Sequence, residues 1–258
     1  MKFTHAITKR PCKNIIKGLT KAGLGIPNYP LALQQHEKYC EVLENCGLTL
    51  TILDGDENFP DSTFVEDTVV LTSACAIITN PGAESRRHEI NTMVPVIDRF
   101  YAAIKRIESP GTLDGGDVMN VDGHYYIGLS ARTNRQGAEQ LIEILRNHGL
   151  NGSMVGMSQM LHLKTGLAYL GNNDLVVAGE FIQNALFDDF NHIKVPESEI
   201  YAANCININN KVLVPAGFDE TRRMIEVFGY DTIALEMSEF QKVDGGLSCL
   251  SLRFDLGL

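Results

Sequence analysis

No stretch of this chain approaches the length and apolarity of a membrane-spanning helix, and residues 1–11 have no apolar core of the kind a secretory leader carries. Those two absences lead to the expectation of a soluble, cytoplasmic protein with no membrane partner. Basic residues are also short: 22 Lys and Arg against 32 Asp and Glu give a formal charge of −10. A nucleic-acid binder needs a basic footprint, so the charge argues against polyanion binding as a main role. A local basic pocket stays compatible with that charge, and an acidic surface favours the approach of a small cation. Cysteine is sparse and scattered. The six, at positions 12, 40, 46, 75, 205 and 249, form no CxxC pair and no dense framework, which favours reduced thiols over a disulfide scaffold.

What is present suffices for a sizeable core, since 44% of the 258 residues are hydrophobic. The strongest pattern is a hairpin that recurs. Residues 64–71 read as a strand, 72–73 as a turn and 75–79 as the returning strand. The design returns at 116–121 with turn Asp122-Gly123 and strand 124–127, and again at 166–170 with turn Asn172-Asn173 and strand 174–177. A fourth copy is 204–208, turn Asn209-Asn210 and 211–214. Asp-Gly and Asn-Asn favour such turns. The midpoints step by about 50, 50 and 37 residues. A fifth copy begins at Cys249 and lacks its second strand, which the N-terminal strand at 3–8 is expected to supply, closing a ring.

Helices are expected between hairpins. One starts at Pro30 and ends before Gly47, one spans 134–148 and one spans 219–228, with Asp219 as N-cap and glycines just past the ends. Another begins near Glu84 and should kink or stop at Pro95. Residues 49–53 read as a short strand, and 14–29, with glycines at 18, 23 and 25, as a mobile lid loop. Units of hairpin plus helix cannot bury their apolar faces alone, so residues 1–258 are expected to form one domain.

In a radial array of such units, equivalent strand ends converge. Those positions hold Glu66 and Asp67, Asp114 and Asp117, His162, Asn204 and Cys249. A thiol, an imidazole and several carboxylates suggest a nucleophile, an acid/base and a cation binder. Each has a blander reading: Cys249 as a small buried hydrophobe, His162 as a satisfied core histidine, Asp114 as a turn residue. Likewise Arg86-Arg87-His88-Glu89 reads as a solvated helix face, and Arg132 as a surface ion-pair partner. Glu66-Asp67 between apolar residues is harder to dismiss, because unpaired buried carboxylates are costly.

Five motifs in order resemble the dimethylarginine dimethylaminohydrolase family. They are Phe59-Pro60-Asp61-Ser62-Thr63-Phe64-Val65-Glu66-Asp67, Pro81-Gly82-Ala83-Glu84-Ser85-Arg86-Arg87, Leu113-Asp114-Gly115-Gly116-Asp117, His162-Leu163-Lys164-Thr165-Gly166 and the Cys249 segment. The resemblance runs from about residue 3 to Phe254. It implies an α/β fold of the pentein class, a five-bladed α/β propeller of repeated ββαβ units around a central channel. It also implies hydrolysis of Nω-methylated arginines to citrulline, with Cys249 as nucleophile, His162 as general acid/base and Asp114 as the third catalytic group. By the same resemblance Glu66 and Asp67 hold the substrate guanidinium, and Arg86 and Arg132 bind the α-carboxylate. Asp61, with backbone groups of Leu19 and Val243, recognises the α-amino group. No cofactor and no metal is expected, zinc being at most an adventitious inhibitor, and the protein is expected to be a monomer or homodimer. Three alternatives stand beside this reading: an arginine deiminase, an agmatine deiminase, and a non-catalytic pentein binding protein.

Overall fold

The computed structural model describes residues 2–256. Its contacts fall into two compact units, Met1–Val65 with Cys205–Leu258, and Glu66–Asn204.

Five three-stranded sheets share one design, an antiparallel hairpin followed by a third strand parallel to the second. In the first unit β1 (His5–Lys9) pairs in parallel with β2 (Thr49–Leu53), and α1 (Tyr29–Asn45) connects them. In the second unit β3 (Val69–Leu71), β4 (Ala76–Ile78) and β5 (Ile104–Arg106) form one sheet, with α2 (Ile90–Ile97) in the crossover. Next come β6 (Val118–Val121), β7 (His124–Leu129) and β8 (Asn151–Gly156), crossed by α3 (Arg135–Asn147). After the one-turn α4 (Leu163–Gly166), strands β9 (Leu167–Gly171), β10 (Asp174–Val177) and β11 (Asn191–Lys194) follow. In the first unit again, β12 (Ile206–Ile208), β13 (Lys211–Pro215) and β14 (Asp231–Leu235) enclose α5 (Asp219–Val227), and α6 (Ser238–Gln241) follows. Finally β15 (Ser251–Phe254) pairs antiparallel with β1, from His5 opposite Phe254 to Thr8 opposite Ser251. The N-terminal strand thus supplies the missing partner of the fifth hairpin.

The short step between the last two hairpin midpoints has a structural cause. The crossover from β10 to β11 holds two 3-10 turns, Gly179–Phe181 and Ala185–Phe187, in place of a helix. Turn residues Asp122, Asn172, Asn173, Asn209 and Asn210 all adopt positive φ, which Asn and Asp tolerate better than most side chains.

Three expectations need correction. The apolar stretches expected to be strands from residue 64 and residue 116 begin instead as 3-10 turns, Val65–Thr68 and Gly115–Asp117. One helical turn likewise precedes β9 and β15, at Leu163–Gly166 and Ser248–Leu250. Turn and strand are buried alike, from Phe64 to Val70 and from Leu113 to Met119, so nothing in the sequence pattern marks where one gives way to the other. Asp219 is the first helical residue rather than the N-cap, a place held by Phe218, although an acid in the first turn still suits the helix N-terminus. The helix expected from Glu84 is a 3-10 turn, Glu84–Arg86, separate from α2, and Pro95 lies inside α2 two residues before its end.

Apolar clusters are buried in the second unit, among them these two. One joins Val70, Ile77, Val118 and Ile127 to Ala138, Leu141 and Leu145 of α3, and the other joins Leu167, Leu175 and Val177 to Phe181 and Phe187. The α3 residues recur at helical spacing, so one apolar stripe lies on the sheets. Its N-cap Asn134 accepts from Gly137 N–H at 2.8 Å. These layers leave the helical turns ahead of β3, β6 and β9 to carry the polar groups.

Candidate active site

Within the second unit the helical turns bring acids together. Asp67 Oδ1 accepts from Gly116 N–H at 2.9 Å, and its Oδ2 pairs with Arg86 Nη1 at 2.5 Å. Arg86 also donates through Nε to both Glu89 oxygens at 3.1 Å and through Nη2 to Oε2 at 2.9 Å. Arg86, Asp67 and Glu89 are all at most 4% exposed. The 86–89 segment is therefore a buried ion-pair network rather than a solvated face, and only the Arg87 and His88 side of it turns outward. Charge-assisted bonds of this kind are what make burial of three ionised groups tolerable.

Asp114 is fully buried and faces His162, with Oδ2 at 3.1 Å from Nε2. Its Oδ1 accepts from Gly82 N–H at 2.8 Å, and Arg132 Nη1 lies 3.8 Å from Oδ2. Asp117, also fully buried, ties two segments together. Its Oδ1 accepts from Leu163 N–H at 2.9 Å, next to His162, while its Oδ2 accepts from Ser130 Oγ and Thr133 Oγ1 at 2.6 Å each, on either side of Arg132. Gly116 lies so close that a Cβ there would stand 2.7 Å from His162 Nδ1 and 2.8 Å from Asp67 Oδ1. Glu66, on the same turn as Asp67, pairs with Lys164 Nζ at 2.7 Å.

The electrostatics follow from this packing. Burial alone would drive His162 neutral, but the charges of Asp67 and Asp117 and the Asp114 hydrogen bond outweigh it, raising its pKa to about 9. Burial likewise works against an ionised Asp67, yet His162 and Arg86 hold it below the usual carboxylate range. Asp117 has no such hydrogen-bonded cation, and burial pushes it up to about 6. One donor atom each from Asp67, Asp114 and His162 lie within 4.8 Å of one another, close enough to share a metal ion. A metal would have to displace the His162 proton and compete with Arg86, so the donor set suits an imidazolium better than a resident ion.

In the first unit a second set forms around residues far apart in sequence. Asp61 Oδ1 accepts from Leu19 N–H at 3.0 Å, and a Cβ at Gly18 would stand 3.0 Å from that oxygen and 3.1 Å from Val243 Cγ1. Asp61 and Val243 thus both lie against the Gly18-Leu19 backbone. Cys249 is half-buried in the turn before β15, and its Sγ accepts from Gly246 N–H at 3.4 Å. Gly245 is required here because any Cβ would run into the Phe64 ring. The turn is held on both flanks. Tyr39 Oη donates to Leu247 O at 3.0 Å and shares a hydrogen bond with Ser251 Oγ at 2.6 Å, and Arg253 Nη1 donates to Ser248 O at 3.1 Å.

The structure thus gathers Glu66, Asp67, Arg86, Asp114, Arg132 and His162 in one unit, and Leu19, Asp61, Val243 and Cys249 in the other. Sequence reasoning passed over Glu89, Lys164, Tyr39 and Arg253. Lys164 lay inside a motif without a role, while Tyr39 and Arg253 reach Cys249's turn from α1 and β15 and leave no local signature.

Comparison with known proteins fits this geometry. A family model described as N,N dimethylarginine dimethylhydrolase, eukaryotic, matches residues 28–249. The N(G),N(G)-dimethylarginine dimethylaminohydrolase of Pseudomonas aeruginosa is 53% identical over 253 residues, covering 98% of this chain and 100% of that one. Its Streptomyces coelicolor counterpart is 33% identical, covering 98% of each. A solved structure of the Pseudomonas aeruginosa protein, a cysteine-to-serine mutant complexed with citrulline, superposes with a TM-score of 0.97 at 52% identity, over 98% of this chain and 100% of that one. The N-terminal domain of ArgZ, a cyanobacterial arginine dihydrolase, matches at TM-score 0.87 over 97% and 98% of the two chains, and at 13% identity the likeness is one of fold alone. The expected α/β class of five repeated units agrees with these structures.

Proposed function

The chain belongs to the dimethylarginine dimethylaminohydrolase family, and on that premise we propose that it hydrolyses Nω-methylated arginines to citrulline and dimethylamine or methylamine. The observation that carries the reading is the charge balance around His162. Glu66, Asp67, Glu89, Asp114 and Asp117 face Arg86, Arg132, Lys164 and an imidazole with a pKa of about 9. With the imidazole protonated, that set still holds more acids than cations, which favours a guanidinium over a neutral or anionic ligand. Burial makes the match stringent.

The chemistry assigned to the residues follows. A guanidinium carbon is a poor electrophile, and carboxylates at its nitrogens fix its orientation for attack. Asp67 and Glu66 take that role, while Arg132 and Arg86 act on the α-carboxylate and Asp61, Leu19 and Val243 on the α-amino group. The Cys249 thiolate adds to the carbon, giving a tetrahedral adduct. His162 gives its proton to the departing amine as the C–N bond breaks, leaving an S-alkylthiouronium. The neutral imidazole then takes a proton from water, whose oxygen adds to the carbon, and the C–S bond breaks to release the thiolate and citrulline, the remaining O–H proton passing to the free amine. Asp114 keeps the imidazole oriented and compensates its charge. Six free cysteines fit a reducing, cytoplasmic setting, and a monomer or homodimer suffices for the reaction.

Citrulline release from asymmetric dimethylarginine, monomethylarginine and arginine, with Cys249→Ser as control, tests the proposal. Thiol-dependent turnover favouring methylated substrates is expected. Preference for arginine would make the protein a deiminase with the same machinery, and no turnover by folded, reduced protein would leave a binding role.

A further inference from the structure

Glu66 and Asp67 are neighbours on one helical turn, yet the structure gives them different partners. Asp67 is matched to Arg86 and to the charge of His162. Glu66, only 4% exposed, is matched to Lys164, whose Nζ stands 2.7 Å from Oε1. Lys164 comes from the same helical turn as His162, and its carbonyl accepts from Asn204 Nδ2 at 3.0 Å, which anchors the base of the side chain. The cation at Glu66 is therefore built into the fold.

We propose that Lys164 is a specificity-determining residue: by pairing with Glu66 beside the guanidinium it lessens that acid's dependence on substrate N–H groups, and so lets the site take a dimethylated guanidinium. This rests on the reaction proposed above, with Glu66 beside the guanidinium. Arginine carries two terminal nitrogens with two N–H groups each. In asymmetric dimethylarginine one of them carries two methyl groups and no N–H. A buried carboxylate facing that nitrogen would lose one hydrogen-bond donor and keep its charge, at a cost. Paired with Lys164, Glu66 is satisfied whichever nitrogen faces it. Discrimination of this type is large because an unpaired buried group is penalised more heavily than a methyl group is rewarded.

The test compares kcat/KM for asymmetric dimethylarginine and for arginine in wild type, Lys164→Met and Lys164→Arg. The ratio of the two constants is expected to fall about tenfold or more in Lys164→Met and to return towards wild type in Lys164→Arg. The double variant Glu66→Gln/Lys164→Met, which removes the charge of the acid along with that of its cation, is expected to recover most of the ratio. Lys164→Gln, closer in shape and polarity, replaces Lys164→Met if that variant does not fold. An unchanged ratio in folded Lys164 variants overturns the proposal while the reaction stands. Wild type that turns over neither substrate overturns both.

Discussion

His162 Nε2 stands 3.1 Å from Asp114 Oδ2, while the other oxygen of Asp114 is taken by Gly82 N–H at 2.8 Å. The carboxylate therefore has one lone-pair side for the backbone and one for the imidazole. In Asp114→Asn the Gly82 donor would claim the amide oxygen, leaving the NH2 group to face Nε2. An NH2 donor there demands an unprotonated Nε2 and brings no charge to match a cation, which disfavours the imidazolium that gives its other proton to the leaving amine. We expect kcat to fall by about 10³-fold with the fold intact. Steady-state kinetics beside a thermal melt check this, and a loss under tenfold would remove Asp114 from the proton path.

The pKa of His162 links its charge to stability. It rises from about 6.5 to about 9 on folding, so the stabilisation is complete below pH 6.5 and is lost as pH rises towards 9. Across that window wild type should lose on the order of 3 kcal/mol that His162→Gln does not lose. Denaturant unfolding of both proteins at several pH values reads the difference. A gap between them that stays constant with pH would mean that the imidazole is neutral in the folded protein.

Gly116→Ala is expected to be costly although φ there is unexceptional. The added methyl would stand 2.7 Å from His162 Nδ1 and 2.8 Å from Asp67 Oδ1, and both side chains are held by other bonds. Overpacking of this kind costs about 1–3 kcal/mol. Activity should fall further than stability, because the displaced atoms are the reactive ones. Full turnover in Gly116→Ala would show that the His162–Asp67 spacing is not critical.

Asn134 offers a contrasting case. Its Oδ1 accepts from Gly137 and Thr112 N–H, and its Nδ2 donates to Pro110 O. Asn134→Ala should cost about 1–2 kcal/mol through the lost cap and leave kcat nearly unchanged. A change in kcat larger than threefold would tie α3 to the chemistry of Arg132.

Much of this was legible in the chain itself. Turn pairs such as Asp122-Gly123 and Asn209-Asn210 demand positive φ, and their spacing laid out the repeat before any coordinates. The lone β15 announced that it needed β1, because an unpaired edge is unlike the other four hairpins. Residue types at equivalent strand ends suggested the chemical set, since a thiol, an imidazole and carboxylates together suit nucleophilic and acid–base work. The third strands at 104–106, 151–156, 191–194 and 231–235 were not legible: they are short, largely polar edge strands whose parallel pairing is non-local. Nor were the helical turns that carry Asp67, Asp117 and Cys249, because burial makes turn and strand look alike in sequence. Partner choice belongs to tertiary structure for the same reason. Arg86 buried against Asp67 and Glu89, Lys164 on Glu66, and Tyr39 and Arg253 clasping the Cys249 turn are settled by which side chains folding brings within hydrogen-bond distance, and no local pattern encodes that.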